Sequence, residues 1–251
     1  KYFSDGNFQM SYAITGSQSI IINYSAPELN VENIINSDGT YYRVSIPGHI
    51  STTVPGKPEV PVYSRLISIP DGSEYKVKIT EVRTSRIKPS GKNIGGILYP
   101  AQEGETKEAE QKTRRFSIDK AEYAKRGIIK SDTVRIEPLG KVRNRNLANL
   151  IISPVRYNPH SNILEVITSM KIEISFSNSP GSVTKSLLPQ SALFDESLSK
   201  GVLNYNSGDV IPGFSDKPIK MVIITDTAFK KQLEPFINWK TQKGFQLKVL
   251  Y

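Results

Sequence analysis

Through much of the chain, apolar and polar residues alternate one for one. Met170, Ile172, Ile174 and Phe176 alternate with Lys171, Glu173 and Ser175, the period of a strand buried on one face only. Tyr75, Val77 and Ile79 alternate with Lys76, Lys78 and Thr80 in the same way, and Tyr42, Val44 and Ile46 repeat the pattern more loosely. Further strands are predicted over 19–24, 60–69, 134–136, 150–155 and 163–168. Turn formers separate them: Asp38-Gly39, Pro47-Gly48, Pro55-Gly56, Pro70-Asp71-Gly72 and Asn158-Pro159. Residues 150–157, the turn at 158–162 and the strand at 163–168 read together as a hairpin with a longer loop. Short antiparallel strands with one polar face need a second sheet over the apolar face. Residues 1–181 are therefore predicted to form an antiparallel β-sandwich, and the chain as a whole to be mainly β.

Three stretches break the pattern. Residues 102–113 are dominated by Glu, Lys, Gln and Thr and read as an exposed arm. A short helical turn is expected within 116–124, with Ser117 as its cap. Residues 182–218, rich in Ser, Asn, Gly and Pro, read as a connector. Beyond them Met221, Val222, Ile223 and Ile224 form a doubly buried type of strand. Asp226 or Thr227 is placed to cap a helix bearing Phe229, Leu233, Phe236, Ile237 and Lys240 at helical spacing. Pro235 is expected to kink or restart that helix, and Gly244 to end it. A second apolar strand, 245–250, completes a β-α-β unit over 219–251, the opening of an α/β domain. Such a unit cannot cover its own sheet. It is expected to be mobile, to pack on the sandwich, or to pair with another chain, as in a dimer through its exposed faces.

The composition excludes several functions. At 251 residues the chain makes one or two domains, and 37% hydrophobic with 23% charged residues is ordinary for a soluble globular protein. No apolar run is long enough to cross a membrane, and no signal-peptide pattern follows Lys1. The chain has no cysteine, hence no disulfide framework, thiolate metal site or thiol nucleophile. The net charge of +9 is dispersed: 107–126 carries seven Lys/Arg but also Glu108, Glu110, Asp119 and Glu122. That is a solvated surface rather than a nucleic-acid footprint. His49 and His160 follow turn residues and read as turn surface, without partners at metal-ligand spacing. No phosphate loop or row of spaced carboxylates is present, and no cofactor is expected. Tyr41 and Tyr42 could offer a sugar platform, although aromatic pairs on strands more often pack across the sheet.

Some short motifs resemble a known family. Val222-Ile223-Ile224-Thr225, followed by Leu233, Pro235-Phe236, Trp239-Lys240 and Gly244-Phe245, resembles the opening of the gingipain-type (C25) cysteine protease domain, which has a caspase-like α/β core. Upstream, Val44-Ser45-Ile46-Pro47-Gly48, Gly56, Pro58, Val60-Pro61, Ile69-Pro70, Leu98-Tyr99-Pro100 and Val155-Arg156-Tyr157-Asn158-Pro159 resemble the pro-region of the same family. The resemblance implies a latency and folding module, acting on the catalytic domain of the same precursor by occupying its active-site cleft. It also implies an exported product, in the periplasm, at the outer membrane surface or secreted. The Cys and His of such an enzyme have no counterpart here. Where the parent prefers basic residues, a loop would offer one to an acidic pocket. Arg114, Arg115 and Arg126 are the candidates, and Lys141, Arg143 and Arg145 are candidates for contact with an acidic face. The competing class is a surface adhesion or glycan-binding β-sandwich, or a component of type IX secretion processing.

Overall fold

The computed structural model describes residues 2, 9–15, 19–26, 28–89, 94–104, 115–142, 145–178, 192–205 and 219–251. These fall into two compact units, one of Lys1–Ser186 with Lys200–Tyr205 and one of Leu187–Ser199 with Asn206–Tyr251.

In the first unit the strands are β1 (Gln9–Thr15), β2 (Ser19–Ser25), β3 (Asn30–Asn36), β4 (Gly39–Ser45), β5 (Ile50–Ser51), β6 (Pro61–Ile69), β7 (Ser73–Ile87) and β8 (Ile97–Leu98). One helical turn, α1 (Lys120–Tyr123), precedes β9 (Val134–Val142), β10 (Arg145–Ile152), β11 (Val155–Asn158) and β12 (Ile163–Asn178). They form three sheets. The first runs β1-β2-β12-β11 with β7 also on β12, the second β5-β6-β10-β9, the third β3-β4-β8. All pairs are antiparallel except the two-residue contact of β4 with β8.

The predicted alternation sets the inward faces. Leu164, Val166, Met170, Ile172, Ile174 and Phe176 of β12 are buried, and one contiguous core joins them to Ile20 and Ile22 of β2, Ile67, Leu150 and Ile152 of the second sheet, and Tyr42, Val44 and Leu98 of the third. β12 is long enough to take two partners in series along one side, β11 against 163–166 and β2 against 169–175, while β7 follows its other side.

Several expectations need correction. Residues 150–157 are not one strand: the chain leaves the second sheet after Ile152 and enters the first at Val155, so only β11 forms the hairpin with β12. Pro154 lacks an N–H to continue the β10 ladder, Ser153 N–H donates to Thr133 O, and Pro154 O accepts from Ile167 N–H, both at 2.8 Å. β7 runs beyond the expected 75–80 because a bulge around Glu81, in the left-handed region at φ 54°, lets it stay on β12 past a register shift. β1 and β3 were not predicted. The cap of α1 is Asp119, whose Oδ1 accepts from Glu122 N–H at 3.0 Å, and not Ser117.

Val202–Tyr205, within the stretch read as connector, forms a short strap along β6 beyond the two residues, Pro61 and Val62, that pair with β5. Val202 bridges Leu66 in parallel, and Leu203 N–H donates to Leu66 O at 2.8 Å. The Asn204 side chain substitutes for a strand backbone, accepting from Ser68 N–H at 2.7 Å and donating to Ser68 O at 2.8 Å.

The second unit contains α2 (Ala192–Gly201), most of which belongs to it, and then β13 (Ile219–Ile224), a 3₁₀ turn at Thr227–Phe229, α3 (Lys230–Gln242) and β14 (Phe245–Leu250). β13 and β14 pair in parallel as predicted. Asp226 caps the turn through Ala228 N–H at 2.8 Å, and Gly244 closes the helix at φ 83°. α3 continues through Pro235 without restarting. That residue is exposed, so water can reach the carbonyl its missing N–H leaves free. No residue of 219–251 is buried.

Candidate functional site

The stretch of first interest is the polar arm. Residues 105–114 lie outside the described part of the chain, but both ends of the arm are in view. On the incoming side, 97–101 is stitched between two neighbours. Tyr99 N–H donates to Tyr42 O at 2.8 Å, Glu59 N–H to Tyr99 O at 2.9 Å, and Ala101 N–H to Lys57 O at 2.8 Å. On the outgoing side, Asp119 N–H donates to Gly56 O at 2.9 Å, while Gly56 N–H donates to Ala101 O at 2.8 Å. Gly56 thus bonds both limbs of the arm. Its φ is 80°, and a Cβ there would lie 3.0 Å from Asp119 N and 3.1 Å from Ser117 Oγ, so a turn that predicts only Pro-Gly chemistry is also a point of close backbone approach.

Gln102 joins the limbs directly. Its side chain donates to Pro100 O and to Ser117 O and accepts from Ser117 N–H, each at 2.9 Å. Beside this rung Phe116 packs against Tyr41 and Tyr99, ring centres 5.1 and 5.7 Å apart, with Tyr41 and Tyr99 edge-on to each other at 5.6 Å. The Arg43 guanidinium lies 4.7 Å from the Tyr99 ring centre and pairs with Glu59 at 3.1 Å. Tyr41 is thus a packing residue and not an open platform, but its ring partners lie on the limbs of the arm and not across a sheet.

A phenol network supports this base from the core. Asn162, at φ 52°, accepts from Tyr42 Oη–H at 2.7 Å and from Tyr157 Oη–H at 3.0 Å, and donates to Gly96 O at 3.0 Å. Tyr123 Oη–H donates to Leu98 O at 2.7 Å. Burial raises the phenols of Tyr42, Tyr123 and Tyr157 above their ordinary value, so they remain neutral donors. Tyr123 is brought to Leu98 by α1, where Glu122 also holds Lys125 at 2.7 Å.

The predicted site residues separate into distinct settings. Arg114 and Arg143 lie outside the described residues. Arg115 is exposed, one residue before the seated Phe116. Arg126 is exposed in the bend after α1. Lys141 and Asn146, opposite each other on β9 and β10, both reach Asp71, at 2.8 and 3.0 Å, and these two bonds hold the Asp71 carboxyl below its usual value. Arg145 is only 4% exposed, with its guanidinium 4.4 Å from the Tyr205 ring centre. It therefore presents little surface to a partner and contributes instead to the strap. Among the histidines, His160 is exposed. His49 is not turn surface as expected. It is half-buried, its Nδ1 3.0 Å from Pro47 O and its Nε2 2.8 Å from Tyr24 Oη, and burial lowers its pKa. Among the described residues no group of three or more His, Cys, Asp or Glu could hold a metal, and no helix is long and apolar enough to cross a membrane.

The sequence reading missed Gln102 and the aromatic seat of Phe116, and took Gly56 only as a turn former and motif residue. The signal available was positional: Gln102 and Phe116 bracket the polar run, immediately outside its charged residues.

The Propeptide_C25 family model matches residues 5–209. The chain belongs to the Propeptide_C25 family. Among its relatives, Lys-gingipain of Porphyromonas gingivalis is 30% identical over 229 residues, 91% of this chain and 13% of that protein. Gingipain R1 of the same organism is 19% identical over 194 residues, 77% of this chain and 11% of that protein. This C25 propeptide thus spans about an eighth of the length of the Lys-gingipain it matches. Two solved structures superpose with a TM-score of 0.63. One bears on the zymogenic latency of gingipain K from P. gingivalis, at 26% identity, covering 70% of this chain and 97% of that one. The other, a complex of the pro- and mature domains of P. gingivalis RgpB, covers 79% and 98% at 14% identity, a likeness of fold.

Proposed function

We propose that this C25 propeptide is the latency and folding module of an exported cysteine protease, and that its partner is the catalytic domain of the same precursor. The observation that carries the reading is the stitched base at Gly56, Gln102 and Phe116. It ties down both ends of a polar arm and leaves Arg115 exposed beside its anchor. A segment fixed at both ends loses less freedom when it enters a cleft than a free peptide does, and holds its peptide bond away from a productive attack geometry. Arg114 or Arg115 would then meet a carboxylate in a specificity pocket as a bidentate, desolvated pair. Arg126, on the bend after α1, is the alternative contact. Lys141 and Arg143 are proposed as rim contacts to an acidic face, contributing more to association rate than to affinity. With no cysteine in the chain, these residues supply no thiolate nucleophile, and the cleft belongs to the partner. The uncovered faces of β13 and β14 are proposed to pack on further parts of such a catalytic domain.

The test is direct. Added in micromolar amounts to the mature protease of its own precursor, the purified chain should suppress peptide hydrolysis. The double change Arg114→Ala and Arg115→Ala should raise the inhibition constant by about a hundredfold, with Arg126→Ala measured in parallel. Full activity in the presence of the folded wild-type chain would rule out latency by cleft occupation.

A further inference from the structure

We propose that Gln102 is the positioning residue of the arm: its primary amide serves as a rung that joins Gln102 to Ser117 across the arm's base, and through that closure of the base sets the affinity of the module for its protease. This rests on the latency reading above, but the closure itself can be measured without any protease partner.

The argument is one of hydrogen-bond capacity. A primary amide has two N–H donors and a carbonyl acceptor. In Gln102 both donors are engaged, on Pro100 O and Ser117 O, and the acceptor takes Ser117 N–H. The pair with Ser117 copies the two-bond exchange of opposed strand residues, using a side chain where the chain has no ladder. Other hydrogen-bonding side chains fit this place poorly. Glu could accept from Ser117 N–H, but it would turn negative oxygen toward two carbonyls. Asn is one methylene short. Ser117 contributes only its backbone to the rung.

The neighbouring contacts fix the two limbs and leave the gap between them to Gln102. Gly56 ties Ala101 to Asp119, and Phe116 is held by Tyr41 and Tyr99. Removing the rung would leave both limbs attached to the sandwich while allowing the positions of 102 and 117 to vary. Freedom restored at the base must be lost again on binding, which weakens association. Because the core is untouched, global stability should change far less than affinity.

The experiment uses the full chain and compares wild type with Gln102→Met, which keeps the reach and removes all three bonds, Gln102→Glu as a second variant should the first fold poorly, and Ser117→Ala as a control. Three quantities are read: the inhibition constant against the mature protease of the same precursor, the rate of the first tryptic cut within 103–116 followed by mass spectrometry, and the urea midpoint. Gln102→Met should raise the inhibition constant about tenfold and accelerate the tryptic cut, with the midpoint nearly unchanged, while Ser117→Ala matches wild type throughout. Wild-type inhibition and cutting rate in Gln102→Met and Gln102→Glu would overturn the proposal. A loss of inhibition that only follows a collapse of the midpoint in both would also overturn it, since the role would then be structural. Failure of the wild-type chain to inhibit would instead remove the latency reading, and the tryptic rate would still decide whether Gln102 closes the arm.

Discussion

Ile172 in β12 stands between Lys171 and Glu173, whereas Ile224 in β13 ends the continuous apolar run Met221-Val222-Ile223-Ile224, the pattern that predicts the deeper burial for Ile224. Ile172 has no exposed surface, whereas Ile224 retains 81%. Burial in the two units follows closure, against the order that local hydrophobicity predicts. In the first, three sheets share one core. In the second, β13, β14 and α3 leave Val222, Ile224 and Leu250 open, with Phe229, Phe236 and Trp239 exposed on or beside α3. An apolar strand face becomes a source of stability only when another layer excludes water from it.

The largest expected effect separates these two residues. Ile172→Ala should destabilise the first unit by about 3 kcal/mol, through lost burial and a cavity the sheets cannot refill. Ile224→Ala should change stability by less than about 0.5 kcal/mol. Urea unfolding of each variant measures both, and equal losses would show that the second unit is covered in solution.

A smaller effect follows from His49, which links the β4–β5 turn to Tyr24 of the core. Burial lowers its pKa from 6.5, so the unfolded chain binds a proton more readily than the folded one. Its contribution to stability is complete above pH 6.5 and is lost as pH falls through the folded-state value. The urea midpoint of the first unit should fall between about pH 7.5 and about pH 5, and His49→Gln should flatten that slope. Asp71, also shifted downward, keeps its full contribution above its ordinary value of 3.8 and loses it only below that, outside this window. The second unit has no histidine and should show no corresponding loss.

Smallest of all is the Lys141–Asp71 pair, 41% and 35% exposed. Lys141→Ala should cost no more than about 0.5 kcal/mol, and less in high salt. A larger loss would mean that the β9–β10 edge matters more to closure than its exposure indicates.

Much of the fold was legible because strand periodicity is local. β2, β4, β6 and β12 follow alternations or aliphatic runs that can be counted, and the β-α-β unit follows from its spacing and from Gly244. β1 was missed although Met10, Tyr12 and Ile14 alternate with Gln9, Ser11, Ala13 and Thr15; it ends its sheet, and Tyr12 and Ile14 stay exposed there. β3 is only partly buried. The sheet switch at Ser153–Pro154 was hidden inside what reads as one apolar run. At the site, the charged arm and its arginines were visible as composition. Gln102 was not, because its three partners are backbone atoms, and backbone groups have no sequence signature. His49 was misread for a related reason: its burial depends on Tyr24 and Tyr63, which are distant in the chain.

The sequence alone establishes that this C25 propeptide is mainly β, that it has no cysteine, and that a polar arm interrupts its strands. Those properties follow from residue type and from short-range periodicity. Only the tertiary structure decided which aliphatic strands are covered, that Val202–Tyr205 returns to close the edge of β6, and that Gln102 joins the two limbs of the arm. Each of these depends on chain segments meeting across many intervening residues, where the free energy comes from water excluded and backbone groups satisfied on contact.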